Sequence, residues 1–105
     1  MNAEEAAALI ARAKREFAEA AVARRPHLMA LARQAVSGPE PHEAVRSLNQ
    51  EAHQLHGTAG TLGFRDVSAA AQALESLTLL ERADPEAIDR TCAELDAALS
   101  NLEAG

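Results

Sequence analysis

The sequence predicts an all-α fold: an up-down antiparallel four-helix bundle with a kinked or split helical segment at its N-terminus. Alanine, leucine, glutamate and arginine dominate the 105 residues, tryptophan and tyrosine are absent, and only two phenylalanines represent the aromatic residues. That composition is typical of helices and not of a β-sandwich. Apolar residues recur three and four positions apart, and the short connections between these stretches favour antiparallel neighbours.

The first amphipathic stretch begins near Ala3. Its apolar positions follow a helical period and are Ala6, Leu9, Ile10, Ala13, Phe17, Ala20 and Ala21. Pro26 interrupts the pattern, which resumes at Leu28 and continues to Val36. Because proline either kinks a helix or occupies the first turn of a new one, the sequence leaves both arrangements open.

Residues 37–41 contain a glycine and two prolines and form the clearest break in the chain. From about His42 a narrow apolar seam predicts the next helix, with Val45, Leu48, Ala52, Leu55, Ala59 and Leu62. Gly63 followed by Phe64 predicts a helix end with a left-handed glycine and an apolar residue that folds back. Asp66 is expected to cap the helix after it.

That fourth stretch is expected to continue to about Arg82. Its predicted buried positions are Val67, Ala70, Ala71, Leu74, Leu77 and Leu80. Asp84, Pro85 and Glu86 then provide a capping acid, a first-turn proline and a second acid, the order that a helix N-terminus prefers. The last predicted seam consists of Ile88, Cys92, Leu95, Leu99 and Leu102.

Length, charge and cysteine content narrow the class of protein. Residues 1–105 are expected to form one domain, too small for an elaborate enzyme with its own cofactor cleft. The net charge of −6 and the single lysine, Lys14, argue against nucleic-acid binding. The single cysteine, Cys92, excludes an internal disulfide bond and suits a reducing compartment. No stretch resembles a membrane span or a signal peptide, so we expect a cytoplasmic protein without membrane contact.

The stretch EAHQLHGTAGTLGF, residues 51–64, places two histidines beside glycines inside a predicted helix. Each glycine costs roughly 1 kcal/mol relative to alanine there, so a compensating benefit is expected. If Ala52 and Leu55 face the core, His53 lies about 100° from Ala52 and points toward solvent. Glycines near His53 would leave bare backbone, which lets another molecule approach the imidazole closely. The residues expected on this partner-binding face are Arg46, Asn49, Gly57 and Gly60.

A predicted hairpin between the third and fourth helices brings a carboxylate to the same level. His53 lies eleven positions before Phe64 and Glu75 lies eleven positions after it, so both are expected roughly 16 Å from the turn. A carboxylate beside an imidazole accepts the Nδ1 hydrogen and leaves Nε2 with a free lone pair. The arrangement predicts a nucleophilic histidine with an orienting acid.

At these residues the chain resembles the histidine-containing phosphotransfer (HPt) family. The family motif has the form A-H-x-L-K-G-x-x-x-x-x-G followed by a helix with Leu-Glu, and its matching residues here are Ala52, His53, Leu55, Gly57, Gly63, Leu74 and Glu75. The resemblance implies that His53 accepts a phosphoryl group on Nε2 and that Gly57 keeps access open. It also implies that Glu75 bonds the other nitrogen of His53.

One position departs from the family pattern. His56 stands where the family usually has lysine, three residues after the phosphoacceptor. A histidine with the ordinary pKa of about 6.5 is only partly charged at neutral pH. The role of His56 at the site is therefore left open, with weaker or pH-dependent stabilisation of the phosphoryl group as one expectation.

The resemblance implies a phosphoryl carrier and not an enzyme, because the sequence has neither a Walker loop nor a kinase glycine-rich loop. The expected partners are response-regulator receiver domains and a hybrid sensor kinase. The chain itself is expected to need no cofactor, since a docked receiver domain supplies the aspartate and Mg²⁺.

Two other interpretations of the same residues remain. A helical interaction module would dock a partner without chemistry. A zinc site could use His53, His56 and Glu75. Such a site needs three or four convergent ligands with further supporting groups, and the sequence shows no ligand beyond these three. Phosphate on His53 that is labile in acid and stable in base would favour the carrier.

Overall fold

The structure, a computed structural model, describes residues 1–104, with side chains described as far as Leu102. The chain folds into five helices: α1 (Ala3–Ala23), α2 (Arg25–Ser37), α3 (Pro41–Leu62), α4 (Arg65–Thr78) and α5 (Pro85–Ala104). No strand occurs among the described residues, so the all-α prediction is confirmed. Helices α2 to α5 pack side by side in a closed ring, each against two of the others, and α1 lies against α2, α3 and α5.

The core lies between α2, α3, α4 and α5. Its largest fully buried side chains are Leu48, Leu74, Leu95, Leu99 and Val67. Alanines fill the layer between α3 and α4, where Ala52, Ala59 and Ala71 have no exposed surface. Small residues at these points let the two helix backbones approach closely, and this approach positions side chains on neighbouring faces of the hairpin.

A break at Arg24 separates α1 from α2. The Arg24 backbone N–H still bonds to the Ala20 and Ala21 carbonyls at 3.2 and 3.1 Å, and Pro26 follows in the first turn of α2. The structure therefore has two consecutive helices and not one kinked helix, because proline lacks the N–H that would continue the α1 ladder. The Arg24 guanidinium pairs with Glu51 of α3.

The apolar positions of α1 are not all buried. Ala21 is buried and Phe17 stacks on Phe64 with ring centroids 5.3 Å apart, but Leu9 and Ile10 are 48 % and 53 % exposed. From Phe17, which sits at the α3–α4 turn, α1 continues past the end of the bundle. Leu9 and Ile10 follow the apolar period of the stretch but belong to no buried face of the bundle.

The α3–α4 turn confirms the predicted glycine stop. Gly63 has φ 86°, a left-handed conformation that favours glycine, and the Phe64 N–H bonds back to the Ala59 carbonyl at 2.8 Å. Asp66, expected as the cap of α4, lies instead inside its first turn, and Phe64 occupies the cap position without a side-chain hydrogen bond. The chain enters α4 two residues earlier than expected because the Schellman-type turn ends directly at Phe64.

The C-terminal end of α4 also differs from the prediction. The helix ends at Thr78 and not near Arg82, and Leu80 is 58 % exposed, so its predicted burial is wrong. The chain leaves the helical path at Leu79, which redirects the side chains that follow. The start of α5 is as predicted, since Asp84 Oδ1 accepts the Glu86 N–H at 3.2 Å. Over residues 1–104, none of the helices has the length and apolar content to cross a membrane.

Leu74→Ala and Leu80→Ala should have very different effects on stability. Leu74 has no exposed surface, so its truncation leaves a core cavity and should lower the free energy of unfolding by about 2–5 kcal/mol. Leu80→Ala is the matched control and should change that free energy by less than about 0.5 kcal/mol. Urea unfolding followed by circular dichroism measures both. Equal losses would show that Leu80 is packed against the bundle.

Candidate functional site

His53 projects from the middle of α3 into solvent. Ala52 has no exposed surface and Leu55 is 8 % exposed, and both anchor the inner face of the helix. The 100° step from Ala52 carries His53 outward, and its side chain is 73 % exposed. The predicted exposure of His53 is confirmed.

A hydrogen bond joins His53 to α4 at the level that the hairpin register predicts. His53 Nδ1 lies 2.6 Å from Glu75 Oε2. The Glu75 side chain is 20 % exposed, so the carboxylate sits behind the imidazole and the far edge of the ring remains open to solvent. The predicted contact between these two residues is confirmed.

Glu75 also bonds a second imidazole. His56 Nδ1 lies 3.0 Å from Glu75 Oε1, so each carboxylate oxygen faces one ring. The hydrogen bond from His53, and then that from His56, lower the pKa of Glu75. An ionised carboxylate only accepts hydrogen bonds, so both Nδ1 atoms carry hydrogen, and a neutral His53 presents the lone pair of Nε2 to solvent.

The sequence grouped His56 with His53 and Glu75 only as possible zinc ligands, and it did not predict the hydrogen bond between His56 and Glu75. The signal was present in the spacing. Residues three apart on a helix lie on neighbouring points of one face, so His53 and His56 can both reach a single acid on the adjacent helix. The side chain of His56 is 35 % exposed, half as much as that of His53.

A polar cluster holds the backbone beneath Glu75. The Thr78 hydroxyl donates to the Leu74 and Glu75 carbonyls, both at 2.9 Å. The Asn49 amide donates to the Glu75 carbonyl at 3.2 Å and to Thr78 Oγ1 at 3.1 Å. Asn49 was expected on the partner-binding face, but the structure turns its amide toward α4. Thr78 was not singled out in the sequence, because its role depends on where α4 ends.

The two glycines expected on the partner-binding face, Gly57 and Gly60, have different surroundings. A Cβ built on Gly57 would meet nothing within 4 Å, whereas one on Gly60 would lie 3.2 Å from Ser68 Oγ. The Ser68 hydroxyl donates to the His56 carbonyl at 3.1 Å across the hairpin. Gly57 therefore leaves open backbone next to His53, as predicted. Gly60 points its hydrogen toward α4, where it allows close packing of the two helices.

The surface around His53 includes α1, which the sequence analysis left out of the site. A shallow cleft of about 700 Å³ is lined on the α3 side by His53, Gln54, Gly57, Thr58, Thr61 and Leu62. Its α1 wall consists of Ala13, Glu16 and Phe17. Only the tertiary packing of α1 on α3 creates this wall, so helical periodicity could not predict it.

Arg46 lies two turns before His53 on α3 and is exposed. It lines a separate cavity of about 540 Å³ together with Asn49, Leu79 and Leu80. The structure therefore keeps Arg46 on an outward face of α3 but does not bring it into the cleft of His53.

Neither a metal-ligand cluster nor a reactive cysteine adds to the site in the part of the chain that the structure describes. Among the described side chains, no group of three or more His, Cys, Asp or Glu residues could hold a metal ion. Cys92 is buried in α5, and its burial, followed by the charge of Asp89, raises the pKa of its thiol to about 11. The neutral thiol packs in the core and takes no part in the site.

Comparison with known proteins gives one family match. Residues 3–105, essentially the whole chain, match the model of the family described as Hpt domain. No curated protein and no solved structure gives a significant match. Members of this family are helical phosphocarrier modules that interact with receiver domains and kinases. The chain belongs to the Hpt domain family and so to the proteins of histidine phosphotransfer in two-component phosphorelay signalling.

Proposed function

We propose that this protein is a phosphorelay intermediate that takes a phosphoryl group from the aspartyl phosphate of one receiver domain and passes it to the aspartate of another. His53 is the phosphoacceptor. The observation that carries the proposal is the pairing of an exposed His53 ring with the Glu75 carboxylate at 2.6 Å, through Nδ1 and on the inner edge of the ring.

The chemistry follows from this geometry. The lone pair of His53 Nε2 attacks the phosphorus of the aspartyl phosphate, an N–P bond forms, and the P–O bond to the aspartate breaks. The aspartate leaves as a carboxylate, and the imidazole acquires a positive charge that Glu75 stabilises through the Nδ1 hydrogen. Phosphoryl transfer depends mainly on in-line positioning and charge neutralisation, so a rigid, oriented ring is the main contribution of this chain.

His56 acts through Glu75 as a positioning residue. By donating to Oε1 at 3.0 Å, it fixes the rotation of the carboxylate, which leaves Oε2 aimed at His53. Its Nδ1 is engaged with Glu75 and is not directed at the phosphoryl group. The charge that a lysine supplies in other family members must then come from the partner.

The docking face is the exposed strip of α3 at Gly57 with the adjacent α1 wall of the cleft. Arg46 lies two turns before His53 on the same helix and is proposed to contact the edge of a docked domain. Asn49 and Gly60 support the α3–α4 hairpin and affect docking only through it. The proposed partners are receiver domains, which bring their own Mg²⁺, and a hybrid sensor kinase.

We further propose that the chain is a cytoplasmic one-domain carrier that binds no ATP and no cofactor. The zinc interpretation has less support, because His53, His56 and Glu75 cannot all bind one ion while both Nδ1 atoms keep their hydrogen bonds to the Glu75 carboxylate. An interaction module without phosphotransfer chemistry would not require the His53 ring to be oriented by Glu75. Incubation with a phosphorylated receiver domain separates these cases, since only the carrier yields acid-labile, base-stable phosphate.

His53→Gln should abolish phosphorylation by a phosphorylated receiver domain and leave the helical content unchanged, because the side chain is largely exposed. Radiolabel transfer and circular dichroism measure the two effects. The matched control is His42→Gln, an exposed histidine of the same helix, which should label like the unsubstituted chain. Retained labelling of the His53 variant would refute the assignment.

Gly57→Leu should block transfer without unfolding the protein. The space above Gly57 is open, so a leucine fits the fold and intrudes only on the docked partner. Gly57→Ala is the control: it should raise the free energy of unfolding by about 0.5–1 kcal/mol through helix propensity and reduce transfer much less. Urea unfolding and transfer kinetics test both. Unimpaired transfer by the leucine variant would exclude Gly57 from the docking face.

Glu75→Ala should lower the transfer rate by about 10–100-fold and shift neutral His53 toward the Nε2–H tautomer. His56→Ala should produce a smaller change in the same direction, because Glu75 keeps its bond to His53 but loses its second anchor. The ¹⁵N chemical shifts of the His53 ring report the tautomer directly. An unchanged tautomer in the Glu75 variant would show that the carboxylate does not orient the ring.

A further inference from the structure

The N-terminal part of α1 carries an apolar strip that no described helix covers. Residues 3–12, here named the overhang, extend beyond the α3–α4 turn, and the longest dimension of the molecule is 52 Å, longer than the roughly 33 Å of a 22-residue helix. Leu9 and Ile10 are 48 % and 53 % exposed, and Ala6 lies on the same face at helical spacing. A contiguous apolar strip on a projecting helix marks an interaction surface.

The charges along this helix indicate what covers the strip. Glu4 and Glu5 stand in its first turn, and Arg12, Lys14 and Arg15 follow. The helix dipole favours the acids at the N-terminus but does not explain the basic group, because α1 continues to Ala23. Within residues 3–12 the strip therefore has acids near one end and a base, Arg12, near the other. A second copy in antiparallel orientation complements both ends, whereas a parallel copy places like charges together.

The spacing of the charges supports a specific pairing. Glu5 and Arg12 are seven residues apart, two helical turns, so they flank the same edge of the apolar strip. A two-fold axis through the middle of the overhang brings Glu5 of each copy to Arg12 of the other, with Leu9 and Ile10 between the two pairs. Arg12 Nε bonds to Glu16 of its own helix at 3.1 Å, and the guanidinium has four further N–H donors.

We infer that the overhang is a self-association surface through which two copies of this chain pair their α1 helices antiparallel. The overhang is about 15 Å long, so the paired helices hold the two bundles apart, end to end. His53 lies on the side of its bundle and stays accessible in both copies. The inference does not depend on the proposed function, because it concerns a part of α1 outside the phosphotransfer site.

The contact is short, well below the roughly 800 Å² per partner of a stable interface, so a dissociation constant on the order of 100 µM is expected. Sedimentation equilibrium of the full chain from about 10 µM to 1 mM tests this. The mass should rise from the monomer value of 11.1 kDa toward twice that value. Leu9→Gln/Ile10→Gln, which places good helix formers at exposed positions, should stay monomeric. A monomer at every concentration, or a dimer of the double variant, would overturn the inference.

Charge reversal tests the antiparallel register. Glu5→Arg and Arg12→Glu should each weaken self-association by about fivefold or more, because each places like charges opposite one another twice. An equimolar mixture of the two variants should associate again, since all its cross pairs are opposite. Glu4→Arg, at a position facing away from the strip, is the control and should change association much less. Failure of the mixture to associate would contradict this pairing.

Discussion

The site depends on one carboxylate that serves two imidazoles. Glu75 can bond to His53 at 2.6 Å only because α3 and α4 approach each other closely. That approach depends on the small residues between the two helices. Ala52, Ala59 and Ala71 have no exposed surface, and Gly60 leaves room for Ser68. A larger side chain in this layer would separate the helices and lengthen the hydrogen bond, so the packing of the hairpin and the orientation of the nucleophile are a single constraint.

The position of Glu75 within α4 carries a cost that its partners offset. It lies in the last turn of the helix, which ends at Thr78, where the helix dipole disfavours a negative charge. Two imidazole N–H donors compensate and lower the pKa of the carboxyl group. Asn49 and Thr78 meanwhile bond the Glu75 carbonyl, one of the terminal carbonyls that lack a partner within the helix. The end of α4 is thus a structural part of the site.

Much of this could be predicted from the sequence, because the decisive features are local. A left-handed glycine at Gly63 set the hairpin register, and the helical period set the exposure of His53; the contact with Glu75 follows from both. The sequence was less informative where tertiary packing determines the exposure or the orientation of a side chain. Leu9 and Leu80 fit an apolar period but lie where no helix packs against them. The roles of Asn49 and Gly60 depend on which way each faces the neighbouring helix, and that angle is not resolved by spacing alone.

His56 stands where the family usually has lysine, and this difference changes which groups would neutralise the phosphoryl charge in the proposed transfer. If His53 is phosphorylated as proposed, Glu75 would neutralise the imidazolium, and His56 would not supply the phosphoryl oxygens with the fixed cation that a lysine provides. His56 cannot serve both Glu75 and the phosphoryl group through Nδ1, since that atom lies 3.0 Å from Oε1. In the proposed complex, the Mg²⁺ and cationic groups of the receiver domain would supply this charge, so transition-state stabilisation would depend on docking. The proposed carrier would thus keep the His53 ring oriented through Glu75 and would depend on its partner to neutralise the phosphoryl charge.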